Sequence, residues 1–129
     1  MKLADAVLVH APRAKVWKLI TDVPAAKGSL LVQLGPVRLV LDGDLALATT
    51  DEATGMATVR ADAKDSRVGG TVHATMGLAL VDKGADTEMR ITGDVQIAGR
   101  IGEFGQPVIQ RKADQLMAQF AECVARTLA

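Results

Sequence analysis

Hydrophobic and polar residues alternate along much of the chain. In the clearest case, the segment 87–97, polar residues alternate with Met89, Ile91, Val95 and Ile97. A period of two residues is typical of β-strands that bury one face and expose the other. We therefore predict an antiparallel sheet with one apolar face.

The same alternation predicts six strands in all. The first covers residues 2–10. Segments rich in glycine, aspartate or proline separate the later strands, and such residues favour tight turns. These later strands are predicted at 29–34, 37–49, 56–64, 71–81 and 87–97. Gly35 and Pro36 stand between the second and third strands, where we expect a tight hairpin.

Two segments have helical periodicity instead. Near the C-terminal end, apolar residues recur every three or four positions, which predicts one amphipathic helix of about six turns. Its apolar stripe consists of Ile109, Ala113, Leu116, Met117, Phe120, Val124 and Leu128. A short helix is predicted after the first strand, because Val16, Trp17 and Ile20 form a second stripe. Pro12 suits its first turn, and Pro24 ends it.

The order of these elements indicates an α+β fold. The antiparallel sheet of about six strands has an apolar face that must be covered, and the long C-terminal helix has the stripe to cover it. We therefore predict a single domain, 1–129, in which the sheet curves around that helix. Such an arrangement tends to leave a cavity between the sheet and the helix.

A glycine-rich joint, 99–111, connects the last strand to the long helix. Its three glycines allow the backbone to turn sharply and to run close to the sheet. Phe104 is the large apolar side chain of the turn, and we expect it to pack inward near a cavity mouth. Pro107 fits the first turn of the helix.

Composition and charge argue against several functions. Fifteen basic residues balance fifteen acidic ones, whereas nucleic-acid-binding proteins usually carry a basic excess, so we expect no nucleic acid partner. No window approaches the ~20 apolar residues that span a membrane. The only cysteine, Cys123, cannot form an internal disulfide, which suits a reducing compartment. We therefore expect a cytoplasmic protein.

The chain offers little catalytic chemistry. His10 at a strand end and His73 on the polar side of a strand are expected at the surface, and two isolated histidines do not make a metal site. Cys123 has no basic neighbour in the sequence, so we expect it to pack in the core. The carboxylates at 42–44 and 49–52 fall at strand ends and turns. We predict no catalytic residue, no metal and no cofactor.

Four stretches of the chain match one known family in order. They are APRAKVWKLITD, LGPVRLVLDGDL, DSRVGGTVHATMGLAL and VQIAGRIGEFGQPVIQRKADQLMAQFAEC. The last is the most specific, because Gly99-Arg100, Phe104-Gly105, Ile109 and Gln119-Phe120 stand at that family's spacing. In these stretches the chain resembles the CoxG family of carbon monoxide dehydrogenase subunits, a branch of the START-like (SRPBCC) helix-grip superfamily.

The resemblance covers most of the chain, with one departure. Family members usually have a second short helix and a further strand after the first helix, about twenty residues in all. Here the segment 21–37 runs almost directly from the helix into the strand before Gly35. The apparent loss of these elements removes part of a cavity wall. It also leaves a strand edge bare, which invites edge pairing or dimerisation.

The resemblance implies a non-catalytic accessory protein. It implies an association with molybdenum hydroxylases such as carbon monoxide dehydrogenase, at the inner face of the cell membrane. It also implies a hydrophobic ligand, with menaquinone or ubiquinone as the leading candidates. Small inner side chains and adaptable methionines agree with such a cavity. Its predicted lining consists of Leu39, Leu41, Val59, Met76, Leu78, Met89, Ile91, Val95, Phe104, Ile109, Leu116 and Phe120.

Two alternatives remain open from the sequence. A fully packed core would make the protein an interaction module that associates through its bare sheet edge, for example as a homodimer. An enzyme of the same superfamily would need a polar dyad that points into the cavity, and the predicted inward positions contain none.

Overall fold

Six antiparallel strands form one sheet in the order β1-β6-β5-β4-β3-β2. The computed structural model describes residues 1–22 and 24–128. The strands are β1 (Lys2–Val9), β2 (Ala25–Leu34), β3 (Val37–Asp51), β4 (Met56–Asp65), β5 (Gly70–Lys83) and β6 (Asp86–Gly99). From β2 to β6 each strand pairs with the next one in sequence, and β1 pairs with β6, so β1 and β2 are the two edges.

Two helices accompany the sheet, as the periodicity predicts. The short helix α1 is Arg13–Thr21, and the long helix α2 is Gln106–Thr127. The α+β helix-grip fold class is therefore confirmed. One detail differs, because Pro12 caps α1 from an extended conformation and so lies just outside its first turn. A short 3₁₀-helix at Arg100–Phe104, which the periodicity does not predict, precedes α2.

Paired residues of antiparallel strands point to the same side of the sheet. The apolar positions of neighbouring strands therefore share one face, which is the inner face. Leu78 pairs with Ile91, and Leu80 pairs with Met89, which places all four on the face toward the helices. They belong to a buried cluster that also includes Val16 of α1 and Met117, Ala121 and Val124 of α2. A second cluster, near the β2–β3 hairpin, contains Val32, Leu34, Leu39 and Ile101. The hairpin turns at Gly35-Pro36, as predicted.

The joint between β6 and α2 depends on a glycine contact. Gly99 has φ +84° and pairs with Gly70 across the β5–β6 ladder. A Cβ atom on Gly99 would lie 2.6 Å from the Gly70 Cα, so no side chain fits there. Gly105, with φ +88°, then caps α2. The sharp turn predicted for this joint is confirmed.

The shortened segment after α1 has a direct structural result. Only the residues 22–24 separate α1 from β2, and Val23 lies outside the described residues. The chain therefore has no room for a second helix or a further strand at this point. As a consequence β2 forms an edge of the sheet.

Candidate ligand-binding site

A cavity of about 270 Å³, called here the large cavity, lies between the sheet, α1 and the C-terminal half of α2. The sheet contributes inward-pointing residues of β3, β4 and β5. Its lining consists of Leu19, Ile20, Leu45, Ala46, Leu47, Val59, Met76, Leu78, Phe120, Cys123, Val124 and Thr127. Nearly every lining group is apolar, so the cavity suits a hydrophobic molecule.

Regular secondary structure positions the lining. Leu47 pairs with Val59, and Val59 pairs with Met76, so these three side chains form a row across three neighbouring strands. On α2, Phe120 and Val124 are four residues apart and therefore share one helix face. The row of the sheet and this face of the helix form opposite walls of the large cavity.

The third wall, α1, is fixed to the sheet by Arg13. Its Nη2 donates hydrogen bonds to the backbone oxygens of Glu52, at 2.6 Å, and Ala53, at 3.0 Å, in the turn between β3 and β4. Its Nη1 lies 3.8 Å from a carboxylate oxygen of Asp82. Arg13 thus connects the start of α1 to the β3–β4 turn and to the end of β5.

The polar side chains of the lining are few. The hydroxyl of Thr127 donates a hydrogen bond to the Cys123 carbonyl at 2.8 Å, so it is satisfied within α2. Cys123 itself is exposed and lines the cavity at its rim. The expectation that Cys123 packs in the core is therefore wrong. On α2, Cys123 lies one turn after Phe120 and one turn before Thr127. Its side chain therefore lies beside the buried stripe of the helix and not within it.

A second, small cavity of about 90 Å³ lies under the N-terminal half of α2. It is enclosed by the second buried cluster and by residues of β5 and β6. Its lining includes Val32, Leu39, Leu41, Val72, Val95, Ile97, Ile109 and Leu116. This space is too small for most ligands by itself.

An open groove of about 370 Å³, called here the trough, crosses the inner face of β2, β3 and β4. Its floor consists of small residues, among them Gly28, Gly43 and Ala63. A Cβ atom on Gly43 would lie 2.0 Å from the Asp62 oxygen, so the close approach of β3 and β4 requires glycine there. The trough shares Leu45 with the large cavity and Leu41 with the small one. It therefore adjoins both.

The predicted lining residues separate into four groups. Four of them line the large cavity: Val59, Met76, Leu78 and Phe120. Five line the small cavity: Leu39, Leu41, Val95, Ile109 and Leu116. Met89 and Ile91 line neither cavity and are fully buried in the core. Phe104 is half-buried against the second cluster and lines a shallow surface depression with Val68, Arg100 and Glu103.

The sequence interpretation missed the wall formed by α1. Ile20 belongs to the predicted stripe of that helix and Leu19 adjoins it, but their position over the cavity depends on how α1 packs. Leu45 and Leu47 continue the apolar alternation of β3, so the sequence pattern could have identified them as inward-facing residues. Thr127 is seven residues after Phe120 and so falls on the same helix face.

Charged groups are concentrated on the outer face of the sheet. A hydrogen bond from the Lys2 ammonium, at 2.9 Å, lowers the pKa of the Asp94 carboxyl below its usual value. The Arg90 guanidinium similarly lowers the pKa of Glu88. His73, beside Asp62, and His10, beside Asp86, are exposed as predicted. Within 1–22 and 24–128, no group of three or more His, Cys, Asp or Glu residues is arranged to hold a metal ion.

The family of the chain follows from its sequence. The model of the CoxG family, whose description is that of a carbon monoxide dehydrogenase subunit, matches residues 25–129. The chain belongs to the CoxG family. Residues 25–129 of this CoxG protein include every strand after the first, the joint and α2. No curated protein matches the chain.

Solved structures confirm the START-like fold of this CoxG protein. A conserved protein from Geobacillus kaustophilus is 13% identical, with a TM-score of 0.86 over 99% of this chain and 95% of that one. The Zhui aromatase/cyclase from Streptomyces sp. R1128 is 16% identical, with a TM-score of 0.69 over 99% and 93%. A START superfamily protein from Mycobacterium smegmatis is 11% identical, with a TM-score of 0.66 over 98% and 96%.

The helices of this protein are too short or too polar to cross a bilayer, as far as the described residues extend. Family and fold together suggest an accessory role that involves a hydrophobic ligand.

Proposed function

We propose that this chain is a non-catalytic accessory protein that binds a hydrophobic, quinone-like molecule in the large cavity. The observation that carries the proposal is the cavity itself, with about 270 Å³ of space and a nearly continuous apolar lining. Ligand pockets are usually lined in this way, with few polar groups. Menaquinone and ubiquinone are the candidate ligands, since each joins a flat ring to an apolar chain.

The adjoining trough supports a ligand with a chain. Drug-sized ligands need about 300–1,000 Å³, and the large cavity alone is close to the lower limit. The trough extends the apolar surface from Leu45 along the inner face of β2 and β3. A ring in the large cavity and a chain in the trough would use both.

Family membership supports the second half of the proposal, which concerns the partner. We propose that the chain assists or recruits a molybdenum hydroxylase of the carbon monoxide dehydrogenase type at the cytoplasmic face of the membrane. The name of the CoxG family supports this partner. Co-purification of the tagged chain with the enzyme subunits tests it, and recovery of no subunit from cells that express the enzyme would count against it.

Two other functions are less well supported. A pure interaction module needs no open cavity, whereas this chain has one. An enzyme needs reactive groups that face the ligand, and some structural neighbours are cyclases or synthases. In the described part of the chain, the only lining side chains with a polar atom or thiol are Cys123 and Thr127, which form no acid–base pair.

A quinone titration tests the ligand proposal. Trp17, on α1, is the single tryptophan, and it packs against a buried cluster that includes Val59 and Leu78 of the cavity lining. We expect added menaquinone or ubiquinone analogues to quench Trp17 fluorescence to saturation, and native mass spectrometry to detect a one-to-one complex. A chain that is purified without ligand and also fails to bind any quinone would overturn the proposal.

A pair of α2 variants locates the binding site. Cys123→Phe places a ring at the rim of the large cavity and should weaken quinone binding at least about tenfold. Gln115→Phe adds the same ring on an exposed part of α2 that lines no cavity, so it should bind as the parent does. Equal binding by both variants would move the ligand out of the large cavity.

A further inference from the structure

Strand β2 ends the sheet in an edge without the usual protection. Among the described residues it pairs only with β3, so the backbone groups on its other side have no strand partner. The residues 25–31 are all exposed. Proteins usually protect such an edge with proline, several charges or a covering segment, because a bare edge pairs with another strand. β2 has no proline and one charged residue, Lys27.

The opposite edge shows what protection looks like in the same molecule. Helix α2 packs beside β1, and the side-chain amide of Gln110 donates a hydrogen bond to the Lys2 carbonyl. Lys2 also forms an ion pair with Asp94 on the neighbouring strand. Helix α2 is therefore placed against the β1 edge and leaves the β2 edge open.

Two leucines mark the middle of the open edge. The exposed fraction of Leu30 is 48%, and that of Leu31 is 61%. They point to opposite faces, since neighbouring residues of a strand alternate. Both faces of β2 therefore present an apolar side chain at the same point. Burying them would remove a substantial apolar area from water.

We propose that β2 pairs with β2 of a second copy of this chain, antiparallel, about a two-fold axis at Leu30. Paired residues must then lie on the same face, and this register satisfies that condition. It places Leu30 against the partner's Leu30 on the inner face. It also places Gly28 opposite the partner's Val32 and Ala26 opposite the partner's Leu34. Small residues thus meet large ones, which is why the sequence of β2 fits an antiparallel copy of itself.

Charge also favours a second copy. Lys27 pairs with the partner's Gln33 in this register, and the two Lys27 residues lie about 20 Å apart, six residues along the strand. That separation exceeds the screening length of about 8 Å at physiological salt, so the two ammonium groups hardly repel. The formal net charge of the chain is +0, so two copies have no overall charge repulsion.

The pairing would complete the trough. Leu30 forms the border of the trough at the open edge of the sheet. In the dimer the partner's Leu30 stands directly beside it and extends that border, so each copy contributes a residue to the groove of the other. Dimerisation does not depend on the ligand, and the ligand titration and the association measurement can fail independently.

Sedimentation velocity of the purified chain from about 1 µM to 1 mM measures the association. We expect a reversible monomer–dimer equilibrium. Leu30→Lys opposes two ammonium groups across the axis and should raise the dissociation constant at least tenfold. Leu8→Lys is the matched control, because Leu8 lies on the other edge strand with an exposed fraction of 46%. That variant should dimerise as the parent does.

A charge exchange tests the register. A mixture of the Leu30→Lys and Leu30→Glu variants should form a dimer that neither variant forms alone. Leu31→Lys gives a second disruption on the outer face, should Leu30→Lys fail to fold by circular dichroism. A monomer throughout the concentration range, a dimer that Leu30→Lys and Leu31→Lys leave intact, or a mixture that stays monomeric would overturn the proposal.

Discussion

At the scale of single residues, the glycines of the joint before α2 have different structural roles. Gly99 has a positive φ and touches the backbone of Gly70, whereas a Cβ atom on Gly102, three residues later, would meet nothing within 4 Å. The sequence shows both as glycines of one joint and cannot distinguish them. The distinction comes from the neighbouring strand β5, which approaches one of them.

The two glycines should therefore respond differently to alanine. Gly99→Ala adds a steric clash and a strained backbone, and we expect a loss of about 2–4 kcal/mol in the free energy of unfolding. Gly102→Ala restricts the unfolded chain without a clash and should change stability by less than about 1 kcal/mol. Urea denaturation of both variants measures this. Equal losses would show that the Gly99–Gly70 contact does not constrain the joint.

Asp94 and Lys2 form an ion pair that links β1 to β6 in a pH-dependent way. Folding lowers the pKa of Asp94 through the Lys2 hydrogen bond. Such a carboxyl contributes stability above its unfolded pKa of about 4. This contribution is lost as the pH falls through the lower pKa of the folded state. The pair is exposed, so its contribution is small.

The Asp94→Asn variant tests this pair. We expect it to melt below the parent near neutral pH, and we expect this difference to disappear as the pH falls through the lowered pKa of Asp94, where the parent carboxyl loses its charge. Lys2→Gln should give a smaller difference, because the N-terminal ammonium still lies 3.6 Å from Asp94, and the double variant should add little to the effect of Asp94→Asn. A difference in melting temperature that persists unchanged at low pH would contradict the assignment.

At the scale of elements, α2 approaches the sheet closely at one glycine of β6. Met117 lies against Gly93 in the middle of β6, where a Cβ atom would come 3.1 Å from the Met117 Cε. The helix therefore rests on a strand that lacks a side chain at the contact. Helix α2 packs mainly beside β6 and β1, and the inner face of β2 is left exposed from Ala25 to Leu31, before the buried Val32 and Leu34.

Truncation of Met117 should destabilise the fold, because its side chain belongs to the buried core. Met117→Ala removes a buried side chain, and we expect a loss of about 2–4 kcal/mol in the free energy of unfolding. Gln119→Ala, on an exposed part of α2, should change it by less than about 0.5 kcal/mol. Adding Gly93→Val to Met117→Ala should recover part of the loss by filling the space. Additive losses in the double variant would mean that the two residues do not share a contact.

At the scale of the whole molecule, the alternation of apolar and polar residues predicts most of the fold, because that alternation arises from the burial of one face of the sheet. Each strand and both helices follow from the period of their apolar residues. The cavity is different. Its predicted lining mixes Val59, which lines the large cavity, with Leu39, which lines the small one, and with Met89, which is core. All three side chains face inward. Whether such a side chain lines a cavity or is buried in the core depends on the path of α2 and the position of α1, which the alternation does not predict.

The position of Cys123 has a practical consequence for work on this protein. It is the only cysteine of the chain, it is exposed, and it lies at the rim of the large cavity. A maleimide dye or nitroxide would therefore attach at a single position, without removal of other thiols. The emission of an environment-sensitive dye there would change as the nearby apolar surface becomes covered. The chain thus has a built-in attachment point for an optical or magnetic sensor of cavity occupancy.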